Sequence, residues 1–329
     1  MKVLRSTEQL DGLTEIVVPS QHSPVIESST DEWLLATHGR TFHFASRFLA
    51  PNIRRHVVTL YAFFRTLDDL VDVPVEGRSI EDIRIELDTW KSWFSKGRSF
   101  SAPREPLGSR LATVLDEHCV PTTIFLDFLE GMTFDLEPQQ IYNFSELYRY
   151  CYRVAGTVGL AMAHILGANS TQALDAAENL GIAMQLTNIL RDIGGDLALG
   201  RIYLPQEDLE RFGFSSDNLA QLYWKQRCDE RFRALMRFQV TRAHHYYVRG
   251  MSGIWLLPRD CRFPILVASR LYRRILTVIE HKNYNVLRSR ASTSFPEKVC
   301  EAAIAFILER LWSRGEECLN SGEEVLLEN

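Results

Sequence analysis

The stretch Gln185-Leu186-Thr187-Asn188-Ile189-Leu190-Arg191-Asp192-Ile193-Gly194-Gly195-Asp196 sets Gln185, Asn188, Asp192 and Asp196 three, four and four residues apart. On an α-helix such residues share one face. A polar stripe therefore runs along a helix otherwise filled by Leu186, Ile189, Leu190 and Ile193. About 120 residues earlier, Tyr61, Arg65, Asp68 and Asp72 form a second stripe spaced four, three and four. Asp69 is turned off that face by about 100° and ranks second. Like charges at this spacing repel, and a buried carboxylate costs free energy unless a cation accompanies it. Divalent cations held between two facing helices resolve both problems.

The chain has 329 residues, 46% hydrophobic and 24% charged, with a net charge of −5. An acidic balance argues against a nucleic-acid partner, which calls for a basic surface. The six cysteines form no Cys-x-x-Cys pair, so a cysteine-rich zinc site is not indicated and reduced, cytoplasmic thiols are expected. No signal-peptide pattern opens the chain. No apolar run reaches the roughly 18–20 residues of a membrane span. The expectation is a cytoplasmic protein, free or peripherally attached to a membrane.

Residues 1–28 lack periodicity and are read as a mobile N-terminal arm, with one domain over 29–329. Ser29-Thr30-Asp31-Glu32 has capping-box spacing and should start the first helix. Pro51 suits a first turn, and apolar residues at helical spacing run from there until Pro74. Further helices are expected at 79–95, 122–136, 145–167, 171–194, 217–248, 264–283 and 296–320, with a loop at 96–109. Alternating strand patterns are nearly absent, so the class is all-α. Ala155, Gly159 and Ala163 form a stripe of small residues, with Gly156 adjacent. It suits either tight helix packing or the wall of a groove for a long apolar ligand.

Carboxylate and amide oxygens are hard ligands suited to Mg²⁺, with Mn²⁺ as the alternative. Mg²⁺ usually keeps waters and bridges to a substrate phosphate. Arg65, Arg191 and Arg201 could meet the remaining phosphate charge. The Glu-x-x-His pairs of a di-iron bundle and a phosphate-binding glycine loop are both missing. Magnesium-bound diphosphate on a helical scaffold is what remains.

Asp68-Asp69-Leu70-Val71-Asp72 alone would suit a chain-elongating prenyl diphosphate synthase. The second stripe, followed by Gly200-Arg201-Ile202-Tyr203-Leu204-Pro205, instead resembles the squalene/phytoene synthase family. So do His38-Gly39-Arg40-Thr41-Phe42 and Tyr150-Cys151-Tyr152-Arg153-Val154-Ala155-Gly156-Thr157-Val158-Gly159. The resemblance is dense from about 38 to 205 and looser at Tyr272 and from Tyr284 to Arg290. It implies a class I isoprenoid synthase domain with a central cavity, condensing two prenyl diphosphates head to head through a cyclopropyl diphosphate. Asp68, Asp72, Asn188, Asp192 and Asp196 would hold the metal, and Arg65 and Tyr150 would join them in catalysis. His38, Gly39, Arg40, Thr41, Tyr61, Arg65, Gln185, Arg191, Arg201, Tyr203 and Tyr272 would meet the diphosphate ends. Phe42, Ala155, Val158, Gly159 and Met162 would line the tail channel. One departure is Gly194-Gly195-Asp196, where the family often has Gly-Glu-Asp.

Within the family, phytoene synthase comes first, using two geranylgeranyl diphosphates and no NADPH. Squalene, dehydrosqualene and hydroxysqualene synthases, which use farnesyl diphosphate, are the alternatives. A non-catalytic relative serving as an assembly factor is a third reading. Tyr150 and Tyr203 suit diphosphate binding, proton removal or plain packing. His244-His245 should point apart on a helix, His56 beside Arg54 and Arg55 reads as a solvated face, and Trp255-Leu256-Leu257-Pro258 as a helix end packed on the core.

Overall fold

A computed structural model describes residues 24–72, 77–98, 100–137, 140–225 and 228–327, with side chains from Thr30 to Arg314. Among the described residues every regular element is helical. The helices run α1 (Pro24–His38), α2 (Arg40–Ser46), α3 (Pro51–Asp72), α4 (Ile80–Ser95), α5 (Leu107–Glu117), α6 (Thr122–Leu136) and α7 (Phe144–Cys151). They continue with α8 (Thr157–Ile165), α9 (Thr171–Ala198), α10 (Gln206–Arg211), α11 (Ser216–Trp224), α12 (Glu230–Ser252), α13 (Arg259–His281) and α14 (Phe295–Leu327). None is long and apolar enough to cross a membrane.

Local chemistry fixes many of the boundaries. Ser79 caps α4 in a reciprocal box with Asp82, and Ser170 caps α9 by accepting from the Ala173 amide. Such caps satisfy amides that the helix itself leaves unpaired. α1 begins at Pro24, five residues before the expected start at Ser29. The expected arm lies outside the described residues up to position 23, as does the stop at Pro74.

Three expectations are corrected. The loop at 96–109 gives way to α5 from Leu107, whose Leu111, Val114 and Leu115 are buried. The helix at 145–167 is broken by a π-helical turn at Tyr152–Gly156, a wider winding often found at functional sites. The helix at 217–248 is two, α11 and α12, and Asp229 caps the second.

Two apolar clusters carry most of the core. One joins α3, α4 and α6 through Phe63, Phe64, Trp90, Phe94, Phe125 and Phe128. The Phe94 and Phe125 rings stack with centroids 4.9 Å apart. The other wraps α9 and α12, with Phe232, Leu235, Met236 and Tyr247 inside. A third, smaller cluster joins α2, α13 and α14, and Ile265 packs against all three.

Close backbone approach holds α9 in place. A Cβ on Gly159 would stand 2.3 Å from the Ala177 carbonyl oxygen, and one on Gly181 would stand 2.2 Å from that of Ala155. Both are far inside contact distance, so only glycine permits this approach of α8 to α9. On the opposite side, a Cβ on Gly250 of α12 would meet the Leu180 backbone at 2.7 Å. Tight packing therefore explains Gly159, yet Ala155 and Gly159 also face a cavity.

Candidate active site

α3, α6, α8, α9 and α13 surround a cavity of about 1020 Å³. Its lining changes character along two helices. On α9, Ala173, Ala176, Ala177 and Leu180 give way to Gln185, Asn188, Arg191, Asp192 and Asp196. On α3, Val57, Tyr61 and Phe64 give way to Arg65, Asp68 and Asp72, a run of about 22 Å at 1.5 Å per residue. Asp72 and Asp196 thus lie in the last turns of α3 and α9, where the helix dipole is negative and favours cations.

Every residue that the sequence assigned to the site lines this cavity. Asp68, Asp72, Asn188, Asp192 and Asp196 occupy its polar end with Arg65, Arg191, Arg201, Tyr150, Tyr203 and Gln185. His38, Gly39, Arg40, Thr41 and Phe42, from the α1–α2 junction, form a rim with Tyr61 and Tyr272. Ala155, Val158, Gly159 and Met162 line the apolar part. Asp69 is absent from the lining and bonds Arg65 instead.

Arginines hold three of the acids. Arg65 Nη1 donates to Asp68 Oδ2 at 2.9 Å. Arg201 Nη1 donates to Asp72 Oδ1 at 2.7 Å. Asp192 receives paired bonds from Arg191, at 3.0 and 2.6 Å, and from Arg290, at 2.6 and 2.9 Å. Asp196 receives no arginine bond among the described residues. Gln185 Oε1 accepts from Asn188 Nδ2 at 3.1 Å, and Asn188 Oδ1 accepts from the Tyr272 hydroxyl at 3.2 Å.

The electrostatics follow these contacts. Enclosure, and then the neighbouring Asp192 and Asp72, push Asp196 up to about 7. Enclosure pushes Asp68 up to about 6 against the pull of Arg65, with Asp72 and Asp69 adding to the rise. Burial also acts to raise Asp192, but the Arg191 and Arg290 contacts outweigh it and hold it below the usual carboxylate range.

The donor set fits a hard divalent cation: all its ligand atoms are oxygens, and two of its carboxyls carry charge that enclosure makes unfavourable. The two stripes do not converge on one point. Among the described residues, the acids bring no three ligand atoms of His, Cys, Asp or Glu within 4.8 Å of one another. Such a site needs further oxygens from water or a phosphate, as Mg²⁺ sites usually do.

The matches to known proteins agree with this geometry. The squalene/phytoene synthase family model matches residues 35–297. The chain belongs to the squalene/phytoene synthase family. It is 36% identical to the 15-cis-phytoene synthase of Synechocystis over 83% of this chain and 82% of that one. It is 34% identical to the 15-cis-phytoene synthase of Synechococcus elongatus over 88% and 97%. Among solved structures, a dehydrosqualene synthase in complex with a ligand aligns with a TM-score of 0.76 at 29% identity, covering 88% of this chain and 99% of that one. A squalene synthase from Alicyclobacillus acidocaldarius aligns at 0.67 and 26% identity, covering 80% and 97%. The all-α class I isoprenoid synthase fold is thereby established for this family member.

Two lining residues escaped sequence reasoning. Asp135 of α6 is buried and accepts from the Tyr150 hydroxyl at 3.1 Å and the Tyr203 hydroxyl at 3.0 Å. The two tyrosine rings stack 5.1 Å apart. Burial drives Asp135 up to about 7 although both hydroxyls stabilise its charged form. An aspartate inside the apolar run of α6 was the available signal. Arg290 lay within a stretch already noted for its resemblance but was given no role.

The other doubtful histidines and aromatics resolve simply. His244 accepts from Arg273 Nε at 3.2 Å while His245 packs on Tyr246, so the two point apart. Trp255 stacks on Trp312, but Leu257 lines the cavity. His56 is not a solvated face: its side chain is 18% exposed and pairs with His118.

Proposed function

We propose that this family member condenses two geranylgeranyl diphosphates head to head, through a cyclopropyl diphosphate, to phytoene with release of diphosphate. The observation that carries this reading is that both acidic stripes face the polar end of one cavity whose remaining length is apolar. Support also comes from about one-third identity with phytoene synthases over most of the chain. The reaction belongs to a single domain, a reading supported by Ile265, which packs against all three apolar clusters.

Mg²⁺, or Mn²⁺ in its place, would be held by Asp68 and Asp72 on α3 and by Asn188, Asp192 and Asp196 on α9. When bound, it supplies Lewis-acid stabilisation of the departing diphosphate. Arg65, Arg191, Arg201 and Arg290 turn from carboxylates to phosphate oxygens, which their planar donors suit. Gln185, Tyr272 and the His38–Thr41 segment position the diphosphate ends. Phe42, Ala155, Val158, Gly159 and Met162 enclose the isoprenoid tails and keep water from the allylic cation. Tyr150 and Tyr203, hydrogen-bonded to Asp135, present oxygens at the cavity wall, and Asp135 can take up the proton lost in forming product.

The purified chain should form phytoene from geranylgeranyl diphosphate with Mg²⁺ and without NADPH. Squalene or dehydrosqualene from farnesyl diphosphate would instead make it a squalene-type enzyme. Failure to release diphosphate from either substrate would leave the reading of a non-catalytic relative.

Peripheral membrane attachment belongs to the same reading. α14 packs Ala302 and Ala305 inward yet leaves Ile307, Leu308 and Leu311 exposed. A helix apolar on both sides calls for cover. Co-flotation with lipid vesicles, lost in Ile307→Glu/Leu311→Glu, tests this attachment.

A further inference from the structure

His56 lies in the second turn of α3, and Glu117 and His118 end α5. His56 Nδ1 stands 2.8 Å from His118 Nε2, and the rings meet edge to face with centroids 5.0 Å apart. Glu117 Oε2 lies 3.6 Å from His56 Nε2, the ring nitrogen that does not face His118, so its carboxylate must swing toward Nδ1 to share a cation with both rings. Taking one ligand atom from each residue, all three lie within 4.8 Å of one another, and among the described residues no other such group occurs.

Two imidazole nitrogens in this contact can hold only one proton between them, and once it is removed both lone pairs are directed into the gap between the rings. A tetrahedral zinc with Zn–N distances of about 2.0–2.1 Å replaces that proton if the nitrogens part to roughly 3.3 Å. Rotation of both rings about their side-chain torsions must supply this separation together with the bend from a head-on contact to a tetrahedral angle. Two imidazoles and one carboxylate are a recurrent zinc donor set, with the fourth position left to water. Glu117 is 55% exposed, so water can reach that position. Nitrogen donors also separate this group from the all-oxygen donors preferred by Mg²⁺.

We propose that His56, Glu117 and His118 bind a zinc-class divalent cation distinct from any metal in the acidic cavity. The site lies about 18 Å along α3 from Asp68, at 1.5 Å per residue, too far to touch the reacting atoms. Its effect is mechanical. It clips α3 to α5, closing a loop of chain that contains Asp68, Asp72 and all of α4. Because the three ligands come together only in the folded chain, the binding free energy of the metal adds to the stability of the fold.

The test uses the full chain, stripped by chelator and then dialysed against zinc chloride with excess Mg²⁺ to fill the carboxylate site. One zinc per chain should be retained by the unaltered protein, with a rise in Tm. His56→Ala and His118→Ala should each lose both effects while keeping Mg²⁺-dependent turnover, which shows that they fold. Glu117→Gln, which removes the anionic ligand, should weaken zinc binding. Cys119→Ser, beside the site, should bind as before. The proposal is overturned if the unaltered protein retains no zinc, if the histidine variants retain it undiminished, or if Cys119→Ser loses it.

Discussion

Arg201 reaches from just beyond α9 to Asp72 at the end of α3, with 2.7 Å between Nη1 and Oδ1. This contact joins the outer ends of the two acidic helices. Arg201→Ala should lower turnover about 10²–10³-fold, the usual loss for one donor to a developing charge. Stability should change little, because Asp72 is 46% exposed and such pairs contribute about 0–1 kcal/mol. Diphosphate release and thermal unfolding, measured together, check both halves.

Asp192 is held by two arginines at once. Asp192→Ala removes a metal ligand and leaves Arg191 and Arg290 facing each other. Turnover should nearly vanish while far-ultraviolet circular dichroism is unchanged. Near-normal turnover in this variant would refute the metal assignment.

Metal binding should strengthen with pH. Asp68 and Asp196 are pushed up to about 6 and about 7, and a carboxyl must lose its proton to ligate. Between the unfolded carboxylate range and these raised values, the folded protein binds more protons than the unfolded chain. Metal-free stability contributed by these two groups is therefore present at low pH and lost as pH rises through 6 and 7. Magnesium offsets that loss. The Tm increase on adding Mg²⁺ should grow from pH 6 to pH 8, and a flat profile would count against the ligand roles of both acids.

Two glycines should respond in opposite ways. A Cβ on Gly195 meets nothing within 4 Å. Gly195→Ala should stabilise α9 by up to about 1 kcal/mol. Gly159→Ala places its methyl against the Ala177 carbonyl oxygen. It should cost about 1–3 kcal/mol. Denaturant unfolding of the two variants gives the comparison.

The helices most legible in the sequence were those with strong apolar periodicity, such as α3, α4 and α9, whereas the capping-box spacing at Ser29 placed the start of α1 five residues late. α5 was obscured by its Ser-, Pro- and Gly-rich approach, although burial of Leu111 and Leu115 holds it. The π turn before α8 leaves no mark on periodicity. The acidic stripes were readable because helical spacing fixes which residues share a face. Asp135 and the His56–His118 pair were not, because each depends on which helices meet in space. The contacts of Arg201 with Asp72 and of Arg290 with Asp192 escaped for the same reason: Arg290 and Asp192 are 98 residues apart.

The cavity's change of lining along α3 and α9 has a consequence for the end of the proposed cycle. The polar end grips only phosphate, and phytoene carries none. After diphosphate departs, the hydrocarbon keeps contact with the apolar wall alone, and water offers it no destination. Egress then becomes a partition between this protein's interior and a nearby lipid phase. Turnover should depend on the capacity of that acceptor as well as on the chemistry at the acidic end.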